Sequence, residues 1–267
     1  MNCRFLRRHG APIWVAAALA VAASGSIHAQ GRGGRGGPPG PPRSPQVSAP
    51  IDLTGYWVAL VTEDWRWRMV TAPKGDVASV PLNAEGRKVA NEWDPAKDEA
   101  AGNQCKAYGA AGIMRVPTRL HITWENENTL RIDTDAGTQT RFLHFGAAPQ
   151  PPSTKAGEPE WQGASIAQWE FPGPGGRRAA PVPGGDLKVV TTHLRPGYLQ
   201  KNGVPYSGNA VLTEYFHRTI EDNGDSWLIV TTIVEDPQYL TGPFLRSTHF
   251  KKEPDGSKWD PSACEAQ

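Results

Sequence analysis

The 267 residues carry 28 Lys and Arg against 27 Asp and Glu, a formal charge of +1, but that charge is unevenly placed. Three Arg precede residue 30 and three more lie between Gln30 and Pro50, which leaves +1 − 3 − 3 = −5 from Ile51 onward. A mildly acidic body argues against an electrostatic nucleic-acid binder, and no stretch after the leader reaches the roughly 18 to 20 apolar residues of a transmembrane helix.

The chain opens like a secretory signal peptide. Arg4, Arg7 and Arg8 form the positive end, Ala11 to Ala23 the apolar run, and Ile27-His28-Ala29 a small-residue cleavage site. Cleavage after Ala29 would leave 267 − 29 = 238 residues in the periplasm or outside the cell. From Gln30 to Pro50, six Gly and six Pro among 21 residues predict a disordered, Arg-bearing tether. A single domain is expected over 51–267.

That domain reads as all-β with minor helices. Asp52–Thr62 has the branched and aromatic content of a first strand. Trp65-Arg66-Trp67-Arg68-Met69 alternates strictly, which as a strand would put both Trp and Met69 on one face and both Arg on the other. A helical insertion is expected over about 83–101, with Asn83 as N-cap and a break at Pro95. Asn103–Gly112 is loop-like. Strands are then predicted at Arg119–Trp124, Thr129–Thr134, Thr138–Phe145, Ser165–Phe171, Leu187–Leu194, Ala210–Ile220, Ser226–Val234 and Phe244–Lys251. Turn chemistry separates several of them, including Asp135-Ala136-Gly137 and the Asn223-Gly224 pair. Strands of this number on short turns predict an antiparallel β-barrel of about eight to ten strands, because closure removes exposed edges. A β-sandwich is the alternative.

Cys3 leaves with the leader, so Cys105 and Cys264 remain as an even pair in an oxidising compartment. No zinc-like spacing involves either of them. A disulfide is the preferred reading, worth on the order of 5 kcal/mol at most for so long a loop. Two free thiols, or a nucleophilic Cys105, are the other readings.

Two resemblances follow from particular residues. Gly55-Tyr56-Trp57 resembles the G-x-W that opens lipocalins and related calycin barrels. In those folds the Trp closes one barrel end and an Arg from a late strand packs across it, a role the resemblance would give Arg246. A longer series covers most of the body: Trp161-Gln162-Gly163-Ala164-Ser165 with Trp169-Glu170, Thr213-Glu214-Tyr215-Phe216, and Glu235-Asp236-Pro237 through Tyr239, Thr241, Pro243 and Phe244. Its order is similar to that of a family of secreted, uncharacterised bacterial proteins, which implies an envelope location and no assigned reaction. Phe171-Pro172 departs from the Gly-Asp of that pattern. Tyr215 stands where its T-E-R-F has Arg, so any role of that Arg would fall to Arg218 or be absent.

Several residues invite chemistry. Nine Trp survive processing; Trp57, Trp124, Trp169 and Trp227 are expected to fill the barrel. Trp65 and Trp67, interleaved with Arg66 and Arg68, would suit a planar or carboxylate-bearing ligand. Alternation along Ala210–Ile220 sets Glu214 and Arg218 on the inward face with Leu212 and Phe216, either as an internal ion pair or sharing a polar ligand. A buried Glu214 would have a raised pKa suited to acid–base work. Of the five remaining His, His144 sits among Phe142, Leu143 and Phe145, as a rim histidine or a catalytic one. Asp236 before Pro237 reads as a turn former. No nucleophile elbow, phosphate loop, dinucleotide fingerprint or haem-attachment motif occurs, and no metal or cofactor is expected. The leading expectation is an exported, lipocalin-like barrel binding a small, partly apolar or aromatic molecule through Trp65, Trp67, Arg66, Arg68, His144, Glu214 and Arg218. The alternative is a cofactor-free lyase, isomerase or hydrolase using Glu214, with His144 or His217 as partner and Arg218 stabilising an anion.

Overall fold

The computed structural model describes residues 43–146, 158–172 and 184–266. The leader, most of the tether, and parts of the two Gly/Pro-rich breaks lie outside the described residues. The strands are β1 (Gly55–Leu60), β2 (Arg119–Asn126), β3 (Thr129–Thr134), β4 (Gln139–Phe145), β5 (Ala164–Glu170), β6 (Asp186–Thr192), β7 (Gly197–Gln200), β8 (Val204–Tyr206), β9 (Val211–Ile220), β10 (Ser226–Glu235) and β11 (Phe244–Lys252). From Arg119 onward every predicted strand is present, its ends shifted by at most two residues.

Nine strands close a barrel in the order β1-β11-β10-β9-β6-β5-β4-β3-β2, while β7 and β8 form a separate hairpin. The expected barrel is therefore found, but it is mixed rather than antiparallel. A closed ring of purely antiparallel neighbours needs an even strand count, so nine strands require one parallel contact. It falls between β4 and β5, where Leu143 pairs with Ser165 and Phe145 with Ala167. The chain reaches that register by the long connection between Phe145 and Ala164, as a parallel pair demands.

Alternation sorts the residues between interior and outer face. Leu212, Glu214 and Phe216 on β9, Leu228, Val230 and Val234 on β10, and Leu187, Val189 and Thr191 on β6 are all buried. Trp57, Leu120, Ile122, Leu130, Ile132, Leu143 and Phe250 complete a continuous apolar interior. Trp227 is a correction: it belongs to the outward set of β10, paired with Lys251, whose Nζ lies 5.9 Å from its ring.

One barrel end is closed by the chain that enters β1. Trp57 is fully buried and donates Nε1–H to Leu53 O at 2.9 Å. Trp124, Phe145 and Trp169 cluster nearby, with ring centroids 5.6 and 5.3 Å apart along that series, and Trp169 donates to Pro45 O at 2.9 Å. Residues 44–50, assigned to the tether by composition, are thus laid on the barrel. The cation over Trp57 is Lys252, with Nζ 4.5 Å from the ring, joined by Arg218 at 5.9 Å. Arg246, given that place by resemblance, lies elsewhere.

A lid covers the other end. It runs from α1 (Trp65–Arg68) through α2 (Ala84–Glu92), α3 (Pro95–Ala100), a 3-10 turn (Gln104–Tyr108) and α4 (Ala110–Ile113). Asn83 caps α2 as expected, accepting from Gly86 N–H at 2.9 Å. The helical insertion is longer than predicted, since the 3-10 turn and α4 occupy most of the Asn103–Gly112 stretch read as loop. Ile113, Met114 and Val116 plug the barrel mouth from above. The β7–β8 hairpin and α2 build a second core with Leu212, Val234 and Phe244 at the strand ends. Its turn needs Gly203, at φ +82°, because an added Cβ would meet the Trp93 ring at 2.2 Å.

The C-terminal segment returns along the outside. Trp259 meets the edges of a stacked Tyr56–His121 pair whose centroids are 4.1 Å apart, and Ser262 N–H bonds Asp135 O. Cys264 then forms a disulfide with Cys105 of the lid, as the cysteine count led one to expect.

Candidate functional site

The alternating Trp-Arg segment is a helical turn, not a strand. Met69 N–H bonds Trp65 O at 2.9 Å and Arg68 N–H bonds Asp64 O at 3.1 Å. Asp64 starts the turn in the left-handed region at φ 50°, which a short polar residue tolerates. Its carboxylate is not free to cap because it is held by two guanidiniums. Arg115 Nη1 donates to Asp64 Oδ2 at 3.1 Å, and Arg246 Nε lies 2.8 Å from the same oxygen, a charge contact rather than an aligned hydrogen bond.

Helical rotation then separates the four residues that alternation had split two and two. Trp65 is 66 % exposed, and Arg66 pairs at the surface with Asp76 at 2.7 Å. Trp67 and Arg68 turn toward the body instead, with the Arg66 guanidinium 5.2 Å from the Trp67 ring. Arg68 is buried, pairs with Glu63, and donates Nε–H to Arg115 O at 2.9 Å. Glu63 also lies 3.1 Å from His249 Nδ1. Together Arg68, Arg115 and Arg246 share the carboxylates of Glu63 and Asp64.

Trp67, Arg68 and Arg115 line a crevice of about 20 Å³ between lid and hairpin, with Ala107, Gly112, Val116, Leu199, Gln200 and Lys201. Its floor is apolar and its walls are polar. Four of the lining residues carry a buried side-chain atom without a hydrogen-bond partner among the described residues: Trp67 Nε1, Arg68 Nη2, Arg115 Nη2 and Gln200 Oε1. Burial depresses the pKa of Arg68, Arg115 and Lys201. Sequence reasoning missed Arg115, Gln200 and Lys201. Arg115 lies in the stretch before β2 where no periodicity marked it, and the other two lie at the turn of a hairpin that was not predicted.

Glu214 lies inside the barrel as alternation required, fully buried, but its partner is Arg141 rather than Arg218. Arg141 on β4 donates from Nη1 and Nη2 to the two carboxylate oxygens at 3.1 and 2.6 Å. Thr191 Oγ1 stands 3.5 Å from Arg141 Nη2 and 2.8 Å from Ser165 Oγ, completing a polar layer across β4, β5, β6 and β9. Arg218 sits near the opposite rim, donating to Ser226 Oγ and Asp52 O at 2.9 and 2.6 Å.

The histidines are dispersed. His144 alternates with the inward Leu143 and Phe145, lies 3.1 Å from Thr129 Oγ1, and has its pKa lowered by burial. His217 is exposed, with Nδ1 2.6 Å from Asp186 Oδ1. Glu214, His144, His217 and Arg218 are therefore not one constellation, and the acid–base arrangement expected of them is not assembled. Among the described residues no three His, Cys, Asp or Glu side chains gather as metal ligands, and no helix is long and apolar enough to cross a membrane. Asp236 is a turn former as read, accepting from Ser207 N–H at 2.6 Å, Ser207 Oγ–H at 2.8 Å and Gln238 N–H at 3.2 Å.

A second hollow, about 630 Å³, opens on the outer face beside the β9–β10 turn, lined by Glu221, Asp222, Asp225, Trp227 and His249 among others. It is solvent-facing, and its Asp225 pairs with Lys251 at 2.8 Å. Four of the eleven buried side-chain atoms without a partner among the described residues belong to residues that line the lid crevice. Neither a family model, nor a curated protein, nor a solved structure matches this chain.

Proposed function

We propose that this chain is an exported protein that binds a small, partly apolar molecule beneath its lid, with Trp67, Arg68, Arg115 and Gln200 as the contacts. The use is lipocalin-like in placing a guest at a barrel, although the guest sits at the lid and not in the barrel centre. Membership of the secreted bacterial family suggested by the Trp161 to Phe244 series remains part of the proposal. Export is supported by the leader's composition and by a disulfide that an oxidising compartment would preserve.

One observation carries the reading: four residues that line the crevice, Trp67, Arg68, Arg115 and Gln200, each hold a buried polar atom without a partner among the described residues. Leaving a buried donor or acceptor unsatisfied costs about 1–3 kcal/mol each, so the site is stabilised by whatever supplies the missing partners. The enclosed volume suits one water-sized group, hence the polar end of a molecule enters while its remainder lies outside. No observation favours the acid–base alternative: both oxygens of Glu214 are engaged by Arg141, and His144 and His217 have other partners.

The test is mass spectrometry of small molecules retained by protein purified from its own host. Wild type is expected to retain one that Trp67→Ala releases. Equal retention by both proteins, or none by wild type, overturns the proposal.

A further inference from the structure

We infer that Asn223-Gly224, at the tip of the β9–β10 turn, is a self-modifying site, where the Asn223 side-chain amide is lost to water and aspartate or isoaspartate takes its place. Such a reaction needs the next backbone nitrogen to reach the amide carbon, space for the ring that forms, and access for water. A following Gly obstructs least, since no side chain stands beside its nitrogen. The chain holds two Asn-Gly pairs, Asn202-Gly203 and Asn223-Gly224, and the fold treats them oppositely. Asn202 is 1 % exposed, its Nδ2 donates to Pro73 O and Asp76 O at 3.2 and 3.0 Å, and Gly203 lies against the Trp93 ring. Asn223 and Gly224 are both exposed, and a Cβ added to Gly224 would meet nothing within 4 Å beyond its chain neighbours. Asp225 N–H donates to Asn223 Oδ1 at 2.9 Å, which polarises the amide carbonyl toward attack. One bond opposes the reaction, from Gly224 N–H to Glu221 O at 2.9 Å. At an exposed hairpin tip its local opening costs little.

The Gly224 nitrogen gives its proton to a solvent base and bonds to Asn223 Cγ. The Cγ–Nδ2 bond breaks, and Nδ2 leaves with a proton as ammonia, closing a succinimide. Water then adds to one of the two ring carbonyls and opens the ring, to aspartate or to isoaspartate. Asparagine and water become an acid and ammonia, with no change of oxidation state. The product places a new carboxylate beside Glu221, Asp222 and Asp225 on the outer hollow. It also withdraws the Nδ2–H that bonds Asp225 Oδ2 at 3.2 Å and that, after Lys251, helps hold this carboxyl below its usual range. The hollow thus grows more acidic as the protein ages.

Incubation of the purified protein at neutral and mildly alkaline pH, with peptide mapping by mass spectrometry at intervals, tests this. Asn223 should yield both products, and faster at the higher pH, because a proton must leave the Gly224 nitrogen. Asn202 must first give up two buried hydrogen bonds, so Asn223 should react at least about tenfold faster. In guanidinium-unfolded protein the two sites should react at comparable rates, which assigns the difference to the fold. Asn223→Gln should remove the main acidic species that accumulates on isoelectric focusing. Equal rates in the folded protein, an intact Asn223 there while the unfolded chain reacts, or a difference that persists in guanidinium would each overturn the inference.

Discussion

Arg141 and Glu214 show how a charge is accommodated where an apolar residue would serve. Both are at most 1 % exposed and face each other through two hydrogen bonds. Removing one partner leaves the other buried and uncompensated, whereas removing both leaves only a packing change. Glu214→Leu alone should therefore lower stability by about 3–5 kcal/mol, and Arg141→Met with Glu214→Leu should recover most of it. Urea unfolding of the three proteins measures this; a double variant no better than the single one contradicts it. The inward position of Glu214 was legible from alternation, but its partner was not. Arg218 shares its strand and its face, so spacing favoured it; Arg141 is 73 positions away and is brought opposite only by barrel closure. His144 provides a pH signature. Burial favours its neutral ring, so the unfolded chain takes up this proton first, near its ordinary pKa of about 6.5. The residue therefore withdraws stability as pH falls through that value and on toward the lower folded one. An NMR titration should place its midpoint below that of a free imidazole; a midpoint above it would contradict the assignment.

At the scale of elements, local chemistry was readable wherever it was strong. Period-two alternation, turn residues and the Asn83 cap located the strands and α2 within a residue or two. Asn83 also donates Nδ2–H to Gln238 O at 2.9 Å, tying the helix to the β10–β11 connection. Asn83→Ala should accordingly exceed the ~1 kcal/mol of a lost cap, reaching about 2 kcal/mol once the second bond is counted, as read from thermal or urea unfolding. Asn83→Asp should recover the cap but not that second bond. Two elements were illegible for identifiable reasons. Trp65–Arg68 is too short for period alone to tell a helical turn from a strand, and its conformation is set by Asp64, held by arginines 51 and 182 positions away (115 − 64 and 246 − 64). The β7–β8 hairpin is buried on both sides, against α2 and the 3-10 turn, and so lacks the polar alternation that marks a half-exposed strand. The parallel register of β4 and β5 depends on closing nine strands, which no local pattern contains.

The described body is a filled barrel whose lid is fixed by a covalent strap. The strap crosses the outer face of β1 and β2, anchors through Trp259 and Ser262, and ends at the bridge between Cys105 and Cys264. Intact mass should rise by about 2 Da on reduction, the two hydrogens of one bridge. Cys105→Ser should lower the unfolding midpoint, by up to about 5 kcal/mol in free energy on a chain-entropy estimate for so long a loop. An unchanged mass and midpoint would show that the strap is not closed in solution. Cys264 also lies downstream of all eleven described strands, and this imposes an order of events. During vectorial synthesis the whole barrel emerges before its bolt can exist, so the crevice under the lid is bounded at first by non-covalent contacts alone. The crevice is thus assembled first and bolted afterwards, so that folding and locking become separable steps in the history of each molecule.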